Sequence, residues 1–264
     1  MSVPVYEQRD QPDGVPPLAL TGERTLPDVP QENYWFRRHL AVYEWIATRV
    51  AGMRVLDMAC GEGYGSAVLA RTAASVVGVD ANPEAHEHAR LRYRQGNLSF
   101  ERDLVERFSA PADAVVFLQT IEHLDDPGVV LEHFAALVTG AGGAGPAGGE
   151  IFVSTPNVLT LAPKGASRSS NPWHVREYRA AEFLGLCQAS FPEVQMYGLF
   201  HARKLRAHEL ALRLGWDALH PRLGLSGPFY DWFTPAIASS DFSLHPASER
   251  ELDRALDFLA VCRP

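Results

Sequence analysis

A short apolar strand that runs through an acid into a glycine turn constrains this chain more than any other feature. Residues 55 to 65 read VLDMACGEGYG. Val55, Leu56 and Met58 have the character of a buried strand, Asp57 interrupts it, and Gly61, Gly63 and Gly65 lead into helix-forming sequence. Glycine reaches backbone conformations closed to other residues and lets a ligand lie against the main chain. Strand, glycine turn and helix in that order make the opening unit of an α/β sheet that holds a ligand at the carboxyl end of its strands. The dinucleotide fingerprint G-x-G-x-x-G is not matched, because this turn reads A-x-G-x-G-x-G behind an acid. A nicotinamide dehydrogenase is therefore a weak alternative.

The pattern that follows repeats the unit. Strands are expected at 54–58, 75–79, 98–100, 114–118 and 151–154, with helices at 66–72, 83–94 and 127–138 between them. Alternation of strand and helix implies a parallel sheet. Asn82 before Pro83, and Asp126 before Pro127, supply a cap and a first-turn proline to the helices they precede. Asp57 suits a cationic group, such as the ammonium of a methionine moiety, and would repel a pyrophosphate. A second acid, Asp80, closes the strand SVVGVD, where a carboxylate can accept hydrogen bonds from both hydroxyls of a ribose. Either acid alone would be an ordinary strand end. With the glycine turn between them they describe a binding site.

These residues resemble the class I S-adenosylmethionine-dependent methyltransferases, whose first motif is D/E-x-G-x-G-x-G. Asp57, Gly61 and Gly63 match it, and Ala59 stands in place of its first glycine. The resemblance covers roughly residues 33 to 200 and implies S-adenosylmethionine as cofactor. It implies a cofactor cradle of Asp57, Ala59, Gly61 and Gly63, with Asp80 on the ribose, Asp103 of FERDL at the adenine and Gln119 beside the cofactor. It also implies a Rossmann-like α/β fold, with helices on both faces of a seven-stranded sheet ordered 3-2-1-4-5-7-6 whose last strand is antiparallel. Residues 258–262 would be that last strand. The sixth strand, near 194–199, would run parallel to the others, so an aromatic-rich cap inserted at about 201–256 is expected to leave it over the acceptor site.

Length and composition fit one elaborated domain over 21–264. At 264 residues, 46% hydrophobic and 21% charged, the chain can bury a sizeable core. Residues 1–20 lack hydrophobic periodicity and are expected to be a flexible tail. Residues 21–50, with Tyr34, Trp35 and Phe36 ahead of Arg37, Arg38 and His39, suggest a lid in which an arginine meets the cofactor carboxylate. A net charge of -8 argues against nucleic acid and anionic membranes as partners. No apolar run has the length of a signal core or a membrane span, and three widely spaced cysteines fit a reducing compartment, so a cytoplasmic protein is expected. The glycine-rich run at 140–149 lacks a strand-turn-helix context and is expected to be a loop.

Methyl transfer to a hydroxyl needs alignment and a base. His123, after the fourth strand, is the candidate base, since imidazole accepts a proton near neutral pH. It could equally pack on cofactor or hold the loop. His174, His201 and His245 are candidate substrate-site residues with ordinary structural alternatives. Glu122 and His123 are similar to an acid–histidine pair that supports a metal in some quinone-type methyltransferases, but Gln119 stands where a further carboxylate would help, and no metal is expected. TGERTLPD, ENYWFRRH, STPN, NPWHVREY and DFLAVCRP together look like an actinobacterial methyltransferase group associated with methylated glucan or lipopolysaccharide synthesis. That resemblance implies O-methylation of a sugar or glycan hydroxyl. A small aromatic, quinone-like or natural-product acceptor is the alternative, and a non-catalytic cofactor-binding subunit is an alternative of another class. Oligomeric state is not legible.

Overall fold

The computed structural model describes residues 6–22, 24–139, 149–163, 166–216, 219–220 and 226–264. The parallel half of the sheet is built from β1 (Arg54–Met58), β2 (Ser75–Val79), β3 (Leu98–Glu101), β4 (Ala114–Leu118) and β5 (Glu150–Pro156). It continues through β6 (Glu193–His201), β7 (Phe242–Pro246) and β8 (Asp257–Arg263). The spatial order is β3-β2-β1-β4-β5-β8-β6-β7. β8 is antiparallel to both β5 and β6, so β6 runs parallel to the first five strands. The expected order and the antiparallel last strand are present, but the sheet has eight strands and not seven. The extra strand, β7, pairs antiparallel with β6 at the sheet edge. Its sequence, FSLHP, is short and closes on a proline, which a sheet tolerates at an edge, so it reads as loop until a partner strand is known.

Helices cover both faces. On one side lie α1 (Asn33–Ala47) and α2 (Tyr64–Leu69), and on the other α4 (Pro127–Thr139) and α6 (Ala180–Ser190). The period of the strands divides the core: Val115 and Phe117 of β4 join the α4/α6 cluster, while Ala114, Val116 and Leu118 join the α1/α2 cluster. All five are buried, as expected of a central parallel strand. α3 (Pro83–Arg92) begins at Asn82, whose side chain accepts from the Glu84 and Ala85 N–H groups. Among the described residues, the short α5 (Val158–Leu161) follows β5, and α7 (Arg203–Arg213) and α8 (Ser226–Phe233) add Leu205 and Phe233 to the α1/α2 cluster. Among the described residues, no helix is long and apolar enough to cross a membrane.

The expectation of a flexible tail is corrected for the residues that are described. Glu7 bridges to Ala19, and Gln8, Val15 and Leu18 are buried. The compensation is polar: Gln8 donates to Glu62 Oε1 and accepts from the Leu18 N–H, so the segment is held by hydrogen bonds that no apolar periodicity announces. The run at 140–148 lies outside the described residues.

Candidate functional site

β1, β2, β4 and β5 end on one side of the sheet, and a cavity of about 1020 Å³ opens there. That volume stands at about the upper end of the roughly 300–1,000 Å³ usual for a small-molecule site. Its floor is the turn after β1, with Ala59, Cys60, Gly61 and Glu62, together with Asp80 after β2 and Gln119 after β4. Ala59 and Gln119 have φ of 58° and 51°, left-handed values in which a Cβ is strained. Gly61 at 58° and Gly63 at 95° adopt the same region without that cost. Gly65 has another reason to lack a side chain: a Cβ there would overlap the Tyr43 ring, which packs over the start of α2.

Asp80 lines the cavity. Its Oδ2 accepts from the Gly61 N–H at 2.8 Å and its Oδ1 from the Asn82 N–H at 2.8 Å, which fixes a carboxylate with spare lone pairs at the cavity wall. Asp57 is a correction. It has no exposure and does not line the cavity; its oxygens accept from Ser66 Oγ at 2.6 Å and Tyr43 Oη at 3.2 Å. Strand parity turns it toward α1 and α2, beneath the turn, where burial raises its pKa to about 7. It braces the turn from beneath through Ser66 and Tyr43. Asp103 is also corrected, since it lies outside the cavity lining and accepts from the adjacent Leu104 N–H.

The far wall comes from the segment after β4 and the loop after β5. Glu122, His123 and His174 meet there, with ligand-capable atoms within 4.8 Å of one another and the two imidazole rings edge to face at 5.1 Å. His123 Nδ1 lies 2.8 Å from the Trp173 carbonyl, and His174 Nδ1 lies 2.7 Å from Glu177 Oε1. His174 Nε2 receives Asn171 Nδ2 at 3.0 Å. A cation could be set among such side chains, but both nitrogens of His174 and one of His123 already serve as hydrogen-bonding groups. Burial pushes the Glu122 carboxyl up to about 8 despite a hydrogen bond from Thr155, so at neutral pH it carries little charge. The rim carries two aromatic platforms, Trp35 at 37% exposure and Trp173 at 50%.

His201 and His245 are not brought to this cavity. Tyr34 Oη lies 2.8 Å from His201 Nε2, and His245 sits on β7 beside Ser243 and Glu249. None of the described residues of 201–256 lines the cavity, which corrects the expected cap. The described chain after β6 packs elsewhere: Leu205, Phe233 and Ile237 join the α1/α2 cluster, and the return strand β7 pairs with β6 at the sheet edge. The cavity is lined instead by Thr21, Gly22, Arg24, Thr25, Trp35 and His39 on one side and by Ser169–His174 on the other. Arg38 does not face the cavity either; it pairs with Asp257 inside the protein, and Arg37 donates to Asn33.

The buried acid Glu62 was missed in the sequence. It sits at an unspecified position of the glycine turn and joins Gln8, His88, Arg92 and Tyr93, at 3.0, 2.9, 3.2 and 2.7 Å. Those partners are scattered from residue 8 to residue 93, so no local spacing marks them. Glu177, three residues after His174, was also missed, although its spacing was the one available signal.

Residues 32–210 match the family model described as a methyltransferase domain. Over 265 aligned residues the chain is 39% identical to a probable S-adenosylmethionine-dependent methyltransferase of Mycolicibacterium smegmatis, covering 95% of this chain and 97% of that protein. A ubiquinone biosynthesis O-methyltransferase of Xylella fastidiosa is 35% identical over 127 residues, 45% of this chain and 48% of that protein. Among solved structures, an S-adenosylmethionine-dependent methyltransferase of Thermotoga maritima superposes with a TM-score of 0.56 at 14% identity, covering 88% of this chain and 94% of that one.

Proposed function

Because the chain belongs to the class I S-adenosylmethionine-dependent methyltransferases, we propose that its reaction is O-methylation of a sugar or glycan hydroxyl. The observation that carries this reading is the wall opposite the cofactor turn. Two part-exposed tryptophans, Trp35 and Trp173, flank a lining rich in hydrogen-bonding groups, including Ser169, Asn171 and His174. Apolar sugar faces pack on aromatic rings, and hydroxyls need polar partners.

The residues at the turn fit the cofactor. Asp80 has acceptor capacity for ribose hydroxyls, and the main chain at Ala59 and Gly61 can lie against the ligand without a large side chain between. Bound there, S-adenosylmethionine supplies an electrophilic methyl group on a sulfonium. The protein must align the acceptor oxygen with that methyl carbon and take the hydroxyl proton as the new bond forms. His123 and His174 are imidazoles that line the cavity and could take that proton.

Incubation with methyl-labelled S-adenosylmethionine and a panel of glucans, mannans and phenols tests the acceptor. Label is expected on a saccharide. Transfer only to phenols would move the assignment to the aromatic or quinone-like class, and cofactor binding without transfer to any acceptor would favour a non-catalytic subunit.

A further inference from the structure

We propose that Arg24 binds the carboxylate of the cofactor's methionine moiety, with Thr25 as the positioning residue that anchors it beside the glycine turn. This rests on the cofactor assignment, whichever hydroxyl is methylated.

A carboxylate that enters a cavity gives up its water and needs protein donors in exchange. A charged donor replaces that water best, and a guanidinium matches a carboxylate with two parallel N–H groups. Among the described residues, Arg24 is the one arginine or lysine that lines the cavity. The two arginines of α1 are engaged elsewhere, Arg38 by Asp257 and Arg37 by Asn33. His39 also lines the cavity, but burial pushes it down to about 4, so it brings no charge at neutral pH. His123 and His174 belong to the segments after β4 and β5, away from the turn that follows β1.

The backbone sets Arg24 against the turn. A side-chain carbon built on Gly61 would meet Arg24 Cβ at 3.9 Å. Thr25 fixes this approach, because its Oγ1 lies 2.8 Å from Tyr64 Oη, at the first residue of α2, and 3.3 Å from His39 Nδ1 on α1. Beyond it, Leu26 is fully buried and Asp28 accepts from Arg92 of α3 at 2.6 Å. Ahead of it, the Leu20 N–H donates to the Tyr6 carbonyl at 2.8 Å, and Gln8 donates to Glu62 within the turn. The chain around Arg24 is therefore tied down, while Arg24 itself has no hydrogen-bond or ion-pair partner among the described residues. Its donors are left for a ligand. Asp80 accepts from the N–H of the same Gly61, so an acceptor group and a donor group flank one glycine. S-adenosylmethionine offers the matching pair, hydroxyl donors on its ribose and a carboxylate acceptor on its methionine end.

Isothermal titration calorimetry with S-adenosylmethionine and with its decarboxylated form isolates the carboxylate and needs no acceptor. Arg24→Met is expected to weaken S-adenosylmethionine by about 10- to 100-fold, the range of a hydrogen bond to a charged group. Decarboxylated S-adenosylmethionine should bind Arg24→Met at least as tightly as it binds the wild type, because the guanidinium then faces only the ligand's cations. Arg24→Lys should fall between, keeping the charge and losing the fork. It also carries the comparison if Arg24→Met fails to fold. Thr25→Val should weaken S-adenosylmethionine less than Arg24→Met does and add little in the Arg24→Met background; full additivity would refute the anchoring role. Equal weakening of both ligands would make Arg24 a structural residue, and unchanged affinity for S-adenosylmethionine would assign the guanidinium to something other than the cofactor. Either result overturns the proposal. Failure of the wild type to bind S-adenosylmethionine would overturn the cofactor assignment with it, whereas failure to methylate a saccharide strikes only the acceptor, so the two failures are distinct.

Discussion

Asp57 and Glu122 are carboxyl groups sealed inside the protein, and burial holds their pKa values near 7 and 8. An acid with a raised folded-state value binds more protons folded than unfolded between its two pKa values, so its stabilising contribution is complete at low pH and is lost as pH rises through the folded value. His39, pushed down to about 4 by burial, acts in the opposite sense, but only below about pH 6.5, where the unfolded ring protonates. The thermal midpoint is therefore expected to fall from pH 6.5 to pH 8, and Asp57→Asn to flatten part of that fall; a Tm series across this range, insensitive to the substitution, would contradict the assignment. Gly65→Ala should cost about 1–3 kcal/mol by forcing the Tyr43 ring off Asp57, read by urea denaturation, and should weaken cofactor binding in calorimetry. The acid and glycines of this turn were legible in the sequence because their spacing is local. That Asp57 points under the turn was not, since it follows from which face of β1 meets α1.

The loop after β5 and the segment ahead of α1 do what was expected of the 201–256 insertion. They bring Arg24, Thr25, Trp173 and His174 to the cavity, with Trp35 added from α1, while His201 and His245 belong to the far edge of the sheet. Steady-state kinetics of His201→Ala and His245→Ala should accordingly stay within about twofold of wild type in kcat, with His201→Ala costing about 1 kcal/mol of stability through its lost Tyr34 hydrogen bond. The first described residues are also an element with work to do: Gln8 reaches Glu62, and His88 Nδ1 lies 2.7 Å from the Pro16 carbonyl. Deleting residues 1–20 should leave these buried groups short of partners, costing about 2 kcal/mol. Differential scanning calorimetry should then show a lower Tm, and the cofactor should bind more weakly because Glu62 lies in its turn. Strands 1 to 5 and their helices were readable from periodicity and caps. β7 was not, because an edge strand is defined by its neighbour and carries little pattern of its own.

Across the whole molecule, one buried ion pair ties the first helix to the last strand. Arg38 and Asp257 are 4% and 2% exposed at 2.5 Å, and Arg38 also donates to the Leu256 carbonyl. Removing one partner leaves an uncompensated charge inside, so Arg38→Met is expected to destabilise by about 3–5 kcal/mol in denaturant unfolding, with Asp257→Asn in the same background recovering part of the loss. The sequence by itself determined the α/β class and the glycine turn, because each rests on local chemistry, apolar strands, glycines that take left-handed backbone and acids at strand ends, while the strand order came only with the family resemblance. Tertiary structure alone decided which acids face the ligand, which histidines share a wall, and which segments cover the cavity. Those depend on strand parity and on chain brought together from residues 8 to 257, and neither leaves a mark in local spacing.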